Sequence, residues 1–333
     1  MDMRYFGTLP DGKEIFAFTI SDGKSIAEII TYGASIRSFK PFGITDVIGG
    51  FDTIEGYLND TSNQGAVVGR VANRIEGASI EVDGKIYPLA NNDNGNCLHS
   101  GNGFQHRVWN VDYFSSDCIV LSYDSPNGED GFPGALNVRV KYTVKNAAIH
   151  IEYDGFPEGT TPIALTNHAY FNFDGFSGDI KKHKLQIFAD RYTEVDENLI
   201  PNGNRPLVAG TNIDFRKLRY IDNGGEEFRG YDNNMILSPT IFKSFGEAAL
   251  GLVAIAENDN LSMKVYTDQP GMQLYTGYFL GNGPDFKGNI PQIQYAGFCL
   301  ETQTEPNCVK RNEAIYHSGE KYRHYTVYEF YQK

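Results

Sequence analysis

The feature that most constrains the fold is a succession of short segments in which apolar and polar residues alternate. The segment ASIEVDGKIYPL is typical, because two alternating runs flank Asp83-Gly84, a pair that favours a two-residue hairpin turn. Asp22-Gly23 gives the same turn signal near the start of the chain. Alternation with a period of two predicts strands that bury one face. The chain is therefore predicted to be rich in β-structure.

Helical periodicity is confined to two short segments, Thr53–Leu58 and Phe242–Ala249. No alternation of strands and helices, repeat of fixed period or low-complexity linker divides the sequence. Aromatic residues make up 13% of the chain, with 22 Phe and 21 Tyr against a single Trp, and such side chains favour strands. We expect an all-β fold, a large antiparallel β-sandwich with few short helices, forming a single domain over residues 1–333.

Charge and hydrophobicity narrow the range of partners. The formal net charge is −13, whereas a nucleic-acid binder or a protein that binds anionic membranes needs a basic surface, so neither partner is expected. The longest apolar run, near Ala248–Ala256, is far shorter than the roughly 20 residues that span a bilayer. The four cysteines show no Cys-x-x-Cys pairing, and the N-terminal residues lack a secretory pattern. We expect free thiols in the reducing cytoplasm; export would require a precursor segment.

The segment TPIALTNHAYFNF, Thr161–Phe173, is predicted to be a strand with two unlike faces. The side chains predicted to pack in the core are Ile163, Leu165, Ala169, Phe171 and Phe173, and those on the opposite face are Thr166, His168, Tyr170 and Asn172. Solvent faces usually carry Lys and Glu, whereas this row has uncharged groups and an imidazole. An ordinary solvent face and a functional surface both remain open. Asn167, the polar exception among the core positions, is expected to anchor the strand through backbone hydrogen bonds.

Two further segments place polar side chains among glycines. GAVVGRVANRIEGA contains Asn73 and Arg74, whose donors and acceptor suit a polyhydroxy ligand, although an ion pair between Arg74 and Glu76 is the alternative. This segment lacks the glycine patterns of phosphate-binding loops. NCLHSGNGFQHRVW contains His99 and His106, but no carboxylate or cysteine at a supporting distance, so we do not expect a metal site there.

The segment YAGFCLETQTEPN is predicted to carry a carboxylate at the end of a strand. Tyr295–Leu300 is the predicted strand, and Glu301 follows it as a candidate general base. A solvated loop acid is the alternative, and Glu305 fits the same description, so this segment does not choose between them. Asp232 in RGYDNNMIL and Gln273 in QPGMQLYTG are each compatible with a purely structural role.

Taken together, these segments resemble the galactose mutarotase (aldose 1-epimerase) family. The matching segments, in the family's order, are GAVVGRVANRI, CLHSGNGFQHRVW, SPNGEDGFPG, TNHAYFNF, GYDNN, QPGMQLYTG and FCLETQ. The resemblance implies a galactose mutarotase-like supersandwich with a sugar cleft on one sheet face. It also implies an isomerase that interconverts the anomers of a free aldohexose such as galactose or glucose. Neither a cofactor nor a metal is implied.

The resemblance also implies a role for each matching residue. His168 would be the general acid that protonates the ring oxygen, and Glu301, rather than Glu305, the base that removes the anomeric hydroxyl proton. His99 would hydrogen-bond and stabilise the ring oxygen. The residues implied to hold or surround the sugar are Asn73, Arg74, Asp232, Gln273 and Tyr170.

Unperturbed Glu and His pKa values of ~4.3 and ~6.5 predict a broad pH optimum, and a neighbouring carboxylate is expected to raise the imidazole pKa.

Two departures from the family pattern leave the preferred aldose undetermined. Asn233 stands where the family often has histidine, and Ser100 where it usually has glycine. Two other functions predict different sets of residues. A relative acting on a phosphorylated hexose should gather several Arg or Lys side chains round the phosphate. A sugar-binding module without catalysis should lack the acid or the base, whereas both are present here.

Overall fold

The computed structural model describes residues 2–222, 224 and 228–333, which form mainly short strands. In chain order the strands are β1 (Asp2–Thr8), β2 (Glu14–Ser21), β3 (Ile26–Ile30), β4 (Ser35–Lys40), β5 (Val67–Val68), β6 (Arg74–Ile75), β7 (Ser79–Val82), β8 (Lys85–Pro88), β9 (Cys97–Leu98), β10 (Asn110–Phe114), β11 (Cys118–Ser125), β12 (Ala135–Lys145), β13 (Ala148–Glu158), β14 (Thr161–Pro162), β15 (Thr166–Asn167), β16 (Lys184–Ile187), β17 (Ala189–Tyr192), β18 (Arg219–Tyr220), β19 (Asp232–Leu237), β20 (Phe242–Phe245), β21 (Ala248–Glu257), β22 (Leu261–Thr267), β23 (Gly271–Tyr275), β24 (Cys299–Gln303), β25 (Ile315–Tyr316) and β26 (Tyr322–Gln332). The helical elements are α1 (Ile54–Asn59) and 3-10 turns at Pro41–Gly43, Glu76–Ala78, Phe104–His106, Glu129–Gly131 and Cys308–Arg311.

Antiparallel pairing organises these strands into one large sheet and several smaller ones. The large sheet has ten strands in the order β10-β11-β12-β13-β26-β22-β21-β16-β18, with β20 paired to β21. Two four-stranded sheets have the orders β1-β2-β3-β4 and β17-β19-β23-β24. Two-stranded pairs join β14 to β25, β15 to β5, β6 to β9 and β7 to β8. The predicted all-β, antiparallel fold with few short helices is confirmed.

The largest hydrophobic core consists of buried side chains that are scattered in sequence between Phe18 and Phe330 and come from most of the sheets. Strand β12 illustrates how the sequence builds it, because every second side chain from Leu136 to Val144 is buried while the intervening ones are more exposed. Full burial of a large apolar side chain contributes about 1.5–3 kcal/mol. The alternation in the sequence is thus the main reason that the sheets pack face to face.

Two of the local sequence signals have the predicted outcome. Asp83 and Gly84 join β7 to β8 with φ angles of 51° and 74°, and Gly84 tolerates this left-handed conformation without a steric cost. Helix α1 begins after Thr53, whose Oγ1 accepts a hydrogen bond from the Gly56 N–H at 3.4 Å. The predicted turn and the predicted helix are both confirmed.

The predicted helix at Phe242–Ala249 is wrong. This segment forms β20 and the start of β21, joined by Gly246-Glu247, and Gly246 has a φ of 62°. Phe245 packs against Tyr266 of the large sheet, with ring centroids 5.1 Å apart. So short a helix would be marginal on its own, and the sheet edge offers the same backbone groups a ladder of hydrogen bonds.

The segment Thr161–Phe173 is only partly a strand, since it pairs as β14 and β15 and then continues through isolated bridges. The five predicted core side chains are buried, as expected, but the opposite row is buried too. Thr166 Oγ1 donates to the Thr302 carbonyl, and Asn172 Nδ2 donates to the Ala296 carbonyl. The expectation that this whole row faces away from the core is therefore wrong, because tertiary contacts cover both faces. Asn167 Nδ2 donates to the Gly65 carbonyl at 2.7 Å, which confirms its anchoring role.

In the part of the chain that the structure describes, no helix has the length and apolar character to cross a membrane. All four cysteines are free, as predicted, and all four are buried.

A buried arginine holds together the loops on one side of the fold. Arg70 is 2% exposed, and its guanidinium donates hydrogen bonds to the groups Ser125 O and Oγ, Pro126 O, Pro133 O, Gly134 O and Thr161 Oγ1. Burial lowers the pKa of Arg70 to about 10, a value that leaves it charged at neutral pH. Because Asn73 and Arg74 follow three and four residues later, Arg70 also anchors the segment that carries them.

Replacing Arg70 by Met is expected to lower the free energy of unfolding by about 3 kcal/mol. The methionine would take away the donor that Arg70 supplies to the Pro133 and Gly134 carbonyls, and each buried group left without a partner costs about 1–3 kcal/mol. Urea denaturation followed by circular dichroism measures the change. Arg139→Met is the control, because its side chain is 49% exposed and the expected change is within about 0.5 kcal/mol. Equal stabilities of the two variants would contradict the anchoring role.

Candidate active site

A cleft of about 320 Å³ lies over strands β19, β23 and β24 and is bordered by loops, most of them from the N-terminal half of the chain. All the residues that the sequence analysis proposed for the site line this cleft, namely Asn73, Arg74, His99, His168, Tyr170, Asp232, Gln273 and Glu301. His106 does not join His99 there, and its Nδ1 lies 3.2 Å from the Tyr32 hydroxyl. The structure therefore gathers side chains that are as far apart in sequence as Asn73 and Glu301.

Strand register builds the floor of the cleft. Gln273 of β23 lies directly opposite Glu301 of β24, and Tyr275 of β23 lies opposite both Asp232 of β19 and Cys299 of β24. Residues two apart in a strand share a face, so these five side chains point the same way. Gln273 Nε2 donates to Asp232 Oδ1 at 2.6 Å, which fixes the amide and directs its carbonyl oxygen elsewhere. That oxygen, Gln273 Oε1, is buried and receives no hydrogen bond from the described residues.

Glu301 sits in the middle of its strand, not at the end. The observed strand is Cys299–Gln303, whereas the sequence predicted Tyr295–Leu300. Glu305, the alternative base, is held by Arg205 at 2.6 Å and Arg311 at 2.9 Å. Burial raises the pKa of Glu305, but hydrogen bonds from Arg205 and from Thr193 lower it by more, so the net shift is downward. Its carboxylate is committed to these ion pairs.

A left-handed turn positions His99. Asn73 and His99 have φ angles of 63° and 52°, and the Asn73 N–H donates to His99 Nδ1 at 3.1 Å. Because Nδ1 accepts this bond, the neutral imidazole carries its proton on Nε2 and can donate from that nitrogen. Burial, aided by the neighbouring His168, keeps the pKa of His99 well below its usual value. His99 is therefore a neutral hydrogen-bond donor at neutral pH.

Arg74 is paired with a residue that the sequence analysis did not single out. Its Nε lies 2.6 Å from Asp93 Oδ2, and the expected partner Glu76 instead lies near Asn307 Nδ2 at 3.4 Å. The proposed pair with Glu76 is wrong because strand pairing between β6 and β9 brings the turn that contains Asp93 over the guanidinium. Asp93 lies in the turn-like stretch NNDNGN, which carries no signal beyond that of a loop.

His168 and Glu301 face one another at the bottom of the cleft. His168 Nε2 lies 3.8 Å from Glu301 Oε1, and the two residues are 6% and 2% exposed. The His168 ring packs edge-on against His99, with centroids 5.4 Å apart, and is tilted over Tyr170 at 5.1 Å. On its other side, His168 Nδ1 lies 3.7 Å from Cys299 Sγ. Packing thus fixes the plane of the imidazole.

Burial shifts the protonation of this pair away from the sequence expectation. It lowers the pKa of His168 to about 4. Burial, reinforced by the Asp232 carboxylate, raises the pKa of Glu301 well above its usual value, and Arg74 offsets only part of this effect. The expected increase in the imidazole pKa is therefore wrong, since removal of both groups from water outweighs their attraction across 3.8 Å.

Several residues in or beside the cleft were not among the predicted site residues. Ser100, one of the departures from the family pattern, is buried, and its Oγ accepts from the Val71 N–H and donates to the Val71 carbonyl. Tyr275 and Phe279 line the cleft, and Phe279 is 74% exposed at its rim. Cys299 lies two residues before Glu301 in β24 and shares its face, and the fold brings its sulfur to His168.

Three comparisons agree with this architecture. The family model for aldose 1-epimerase matches residues 17–329. Galactose mutarotase from Bos taurus is 38% identical over 98% of this chain and 97% of its own length, and galactose mutarotase from Homo sapiens is 37% identical over the same shares. The solved structure of a GalM/aldose epimerase homologue from C. elegans superposes with a TM-score of 0.86 at 26% identity, covering 95% of this chain and 98% of that chain. The chain therefore belongs to the aldose 1-epimerase family, and it is an isomerase that acts on carbohydrates.

Proposed function

We propose that this enzyme interconverts the α and β anomers of a free aldohexose such as galactose or glucose, with His168 and Glu301 as its acid–base pair. The observation that carries the proposal is the 3.8 Å approach of His168 Nε2 to Glu301 Oε1 in a cleft lined by hydrogen-bonding groups. A sugar whose anomeric carbon sits beside this pair exposes its ring oxygen and anomeric hydroxyl to it. Both oxygens are bonded to the anomeric carbon, so an acid and a base a few ångströms apart can protonate one oxygen and deprotonate the other in the same step.

The chemistry requires proton transfers and the opening of the sugar ring, with no oxidation or reduction. Glu301 removes the proton of the anomeric hydroxyl while His168 delivers a proton to the ring oxygen, and the carbon–oxygen bond of the ring breaks to give the open-chain aldehyde. Rotation about the bond to the aldehyde carbon presents its other face, and the reverse transfers close the ring. His99, as a neutral donor through Nε2, stabilises the ring oxygen. The residues that hold the sugar in place are Asn73, Arg74, Asp232, Gln273 and Tyr170.

We expect kcat/KM to stay nearly constant over a broad pH range that begins near pH 4. Catalysis needs one proton on the pair, and the reactive arrangement is the one in which His168 holds that proton and Glu301 is ionised; such coupled groups titrate as a unit. Below the His168 pKa of about 4 both groups are protonated, so the base is lost. Above the raised pKa of Glu301 the carboxylate is ionised and His168 is a neutral imidazole, so the acid is lost.

Polarimetry at low sugar concentration, corrected for the spontaneous reaction, measures this profile. A rate that stays constant into strongly acid solution would contradict the assignment of the pair. A rise centred near pH 6.5, the ordinary imidazole value, would contradict the effect of burial.

Replacing Arg74 by Ala is expected to raise KM about 10–100-fold and to change kcat much less. The guanidinium would contact hydroxyl groups whose charge changes little during ring opening, and a hydrogen bond to a charged group contributes about 1.5–3 kcal/mol. Initial rates over a range of sugar concentrations separate the two constants. Arg139→Ala, at a side chain 49% exposed, is the control with unchanged kinetics. A loss confined to kcat would show that Arg74 acts on the transition state instead.

A phosphorylated hexose fits this cleft less well. Of the described residues that line it, Arg74 is the only Arg or Lys, and its Nε already pairs with Asp93. Phosphate recognition usually gathers several such cations. The experiment that tests the proposed function is polarimetry of freshly dissolved α-anomers of galactose, glucose, xylose and arabinose, with glucose 6-phosphate for comparison. Acceleration only of the phosphorylated sugar, or of none, would overturn the proposal.

A further inference from the structure

The acid–base pair has a third buried neighbour that the proposed chemistry does not use. Cys299 is fully buried, and its Sγ lies 3.7 Å from His168 Nδ1. Cys299 and Glu301 are two residues apart in β24, so their side chains share the face that meets His168. An imidazole nitrogen, the thiol sulfur and a carboxylate oxygen all lie within 4.8 Å of one another. Among the residues that the structure describes, this is the one group of three or more such ligands so close together.

We propose that His168, Cys299 and Glu301 form an inhibitory binding site for Zn²⁺. Its effect on turnover rests on the proposed function, because the ion would occupy both members of the acid–base pair.

The donor set is the first argument. One imidazole, one thiolate and one carboxylate are the ligands that Zn²⁺ takes in proteins, and three protein ligands with one open position are typical of accessible zinc sites. Bond lengths near 2.0–2.3 Å place tetrahedral ligand atoms about 3.5 Å apart, close to the 3.7 Å between His168 Nδ1 and Cys299 Sγ. The three ligand atoms lie within 4.8 Å of one another, so the widest separation must shorten by up to about 1.3 Å to complete such a set. Mg²⁺ and Ca²⁺ prefer oxygen ligands and should not compete.

Electrostatics and access are the second argument. Glu301 Oε2 is buried and accepts no hydrogen bond within the described part of the chain, so it has a free lone pair. Asp232 adds negative charge beside both Glu301 and Cys299. Thiolate and carboxylate together neutralise a divalent cation, so the buried site would carry no net charge. His168 and Glu301 line the cleft, which gives the ion an entry route.

The binding step involves protons but no electrons. Zn²⁺ bonds to the Cys299 sulfur, and the thiol proton passes to bulk water. A proton held by Glu301 leaves in the same way when its oxygen binds the ion. Neutral His168 binds through a nitrogen lone pair. Affinity should therefore rise with pH, because binding releases protons.

Two measurements test the site, one of which does not depend on turnover. In the first, wild-type protein, Cys299→Ser and Cys308→Ser are assayed with ZnCl₂, with MgCl₂, and with ZnCl₂ followed by EDTA. Cys308 is also a buried free thiol and is the matched control. Zinc should inhibit the wild type and Cys308→Ser reversibly, and magnesium should not. In Cys299→Ser the inhibition constant, taken from the ratio of rates with and without zinc, should rise at least about 10–100-fold.

In the second measurement, wild-type protein is titrated with CoCl₂ and followed by ultraviolet absorption. One equivalent should produce a sulfur-to-cobalt charge-transfer band, which should be absent from Cys299→Ser and retained in Cys308→Ser. Absence of the band in the wild type, or equal zinc inhibition of all three proteins, would overturn the proposed site. If the wild-type protein proves inactive towards aldoses, the proposed function fails, and the cobalt band alone still tests the site.

Discussion

Replacing Glu301 by Gln is expected to lower kcat for mutarotation by about 10²–10⁴-fold, the usual range for loss of a general acid or base. Glutamine has nearly the same shape, but its amide can neither accept the anomeric proton nor hold it between the two half-reactions. Gln273, Asp232 and Arg74 remain in the cleft, so KM should change much less than kcat. Polarimetry of freshly dissolved α-galactose, with the enzyme-free rate subtracted, measures the loss.

The matched control is Glu305→Gln, four residues along the same segment. Glu305 is held by Arg205 and Arg311 and does not face His168, so this variant should keep nearly normal turnover. A Glu301→Gln enzyme that works at nearly the normal rate would exclude this carboxylate as the base. Equal losses in the two variants would point to general damage to β24 and its loop.

Replacing His168 by Asn is expected to cause a loss of similar size, about 10²–10⁴-fold in kcat. Asparagine can donate a hydrogen bond to the ring oxygen, but it cannot transfer a proton to it. The pH profile gives an independent readout, because the rise near pH 4 reports the His168 pKa and should disappear from the remaining activity. A residue that only positioned the sugar would leave that rise in place.

His106→Asn serves as the control for His168→Asn. His106 belongs to the same sequence segment as His99, but it contacts Tyr32 and lies outside the cleft. Turnover of this variant should be nearly normal. If His168→Asn were as active as His106→Asn, the ring oxygen would have to receive its proton elsewhere, and His99 would be the next candidate to examine.

The two variants together also separate protonation from packing. His168 is fixed between His99, Tyr170 and Cys299, and Glu301 is 2% exposed in β24 beside β23. Circular dichroism and the urea midpoint of each variant should stay close to those of the wild type. A large loss of activity with unchanged stability is the result that assigns these side chains to the chemistry.

Local sequence patterns were sufficient wherever the relevant physics is local. Period-two alternation identified the strands of the large sheet. The Asp83-Gly84 pair identified a hairpin, because these residue types tolerate the positive φ angles of the turn. Thr53 marked the start of α1, because its side chain caps the helix. These signals depend on neighbours a few residues away, so they can be read from the chain alone. The helix predicted at Phe242–Ala249 failed because the edge of a distant sheet decided that conformation.

The sequence by itself determined the fold class, the family and the side chains available for acid–base chemistry. Only the tertiary structure decided how those side chains meet: β23 and β24 set Gln273 opposite Glu301, and His168 arrives from a segment more than a hundred residues earlier. It also decided which acid is free, since Glu305 is committed to arginines, and how the pair is protonated. The physical reason is that pKa values and contacts depend on burial and on distances in space. Neither quantity is encoded in the spacing of residues along a strand.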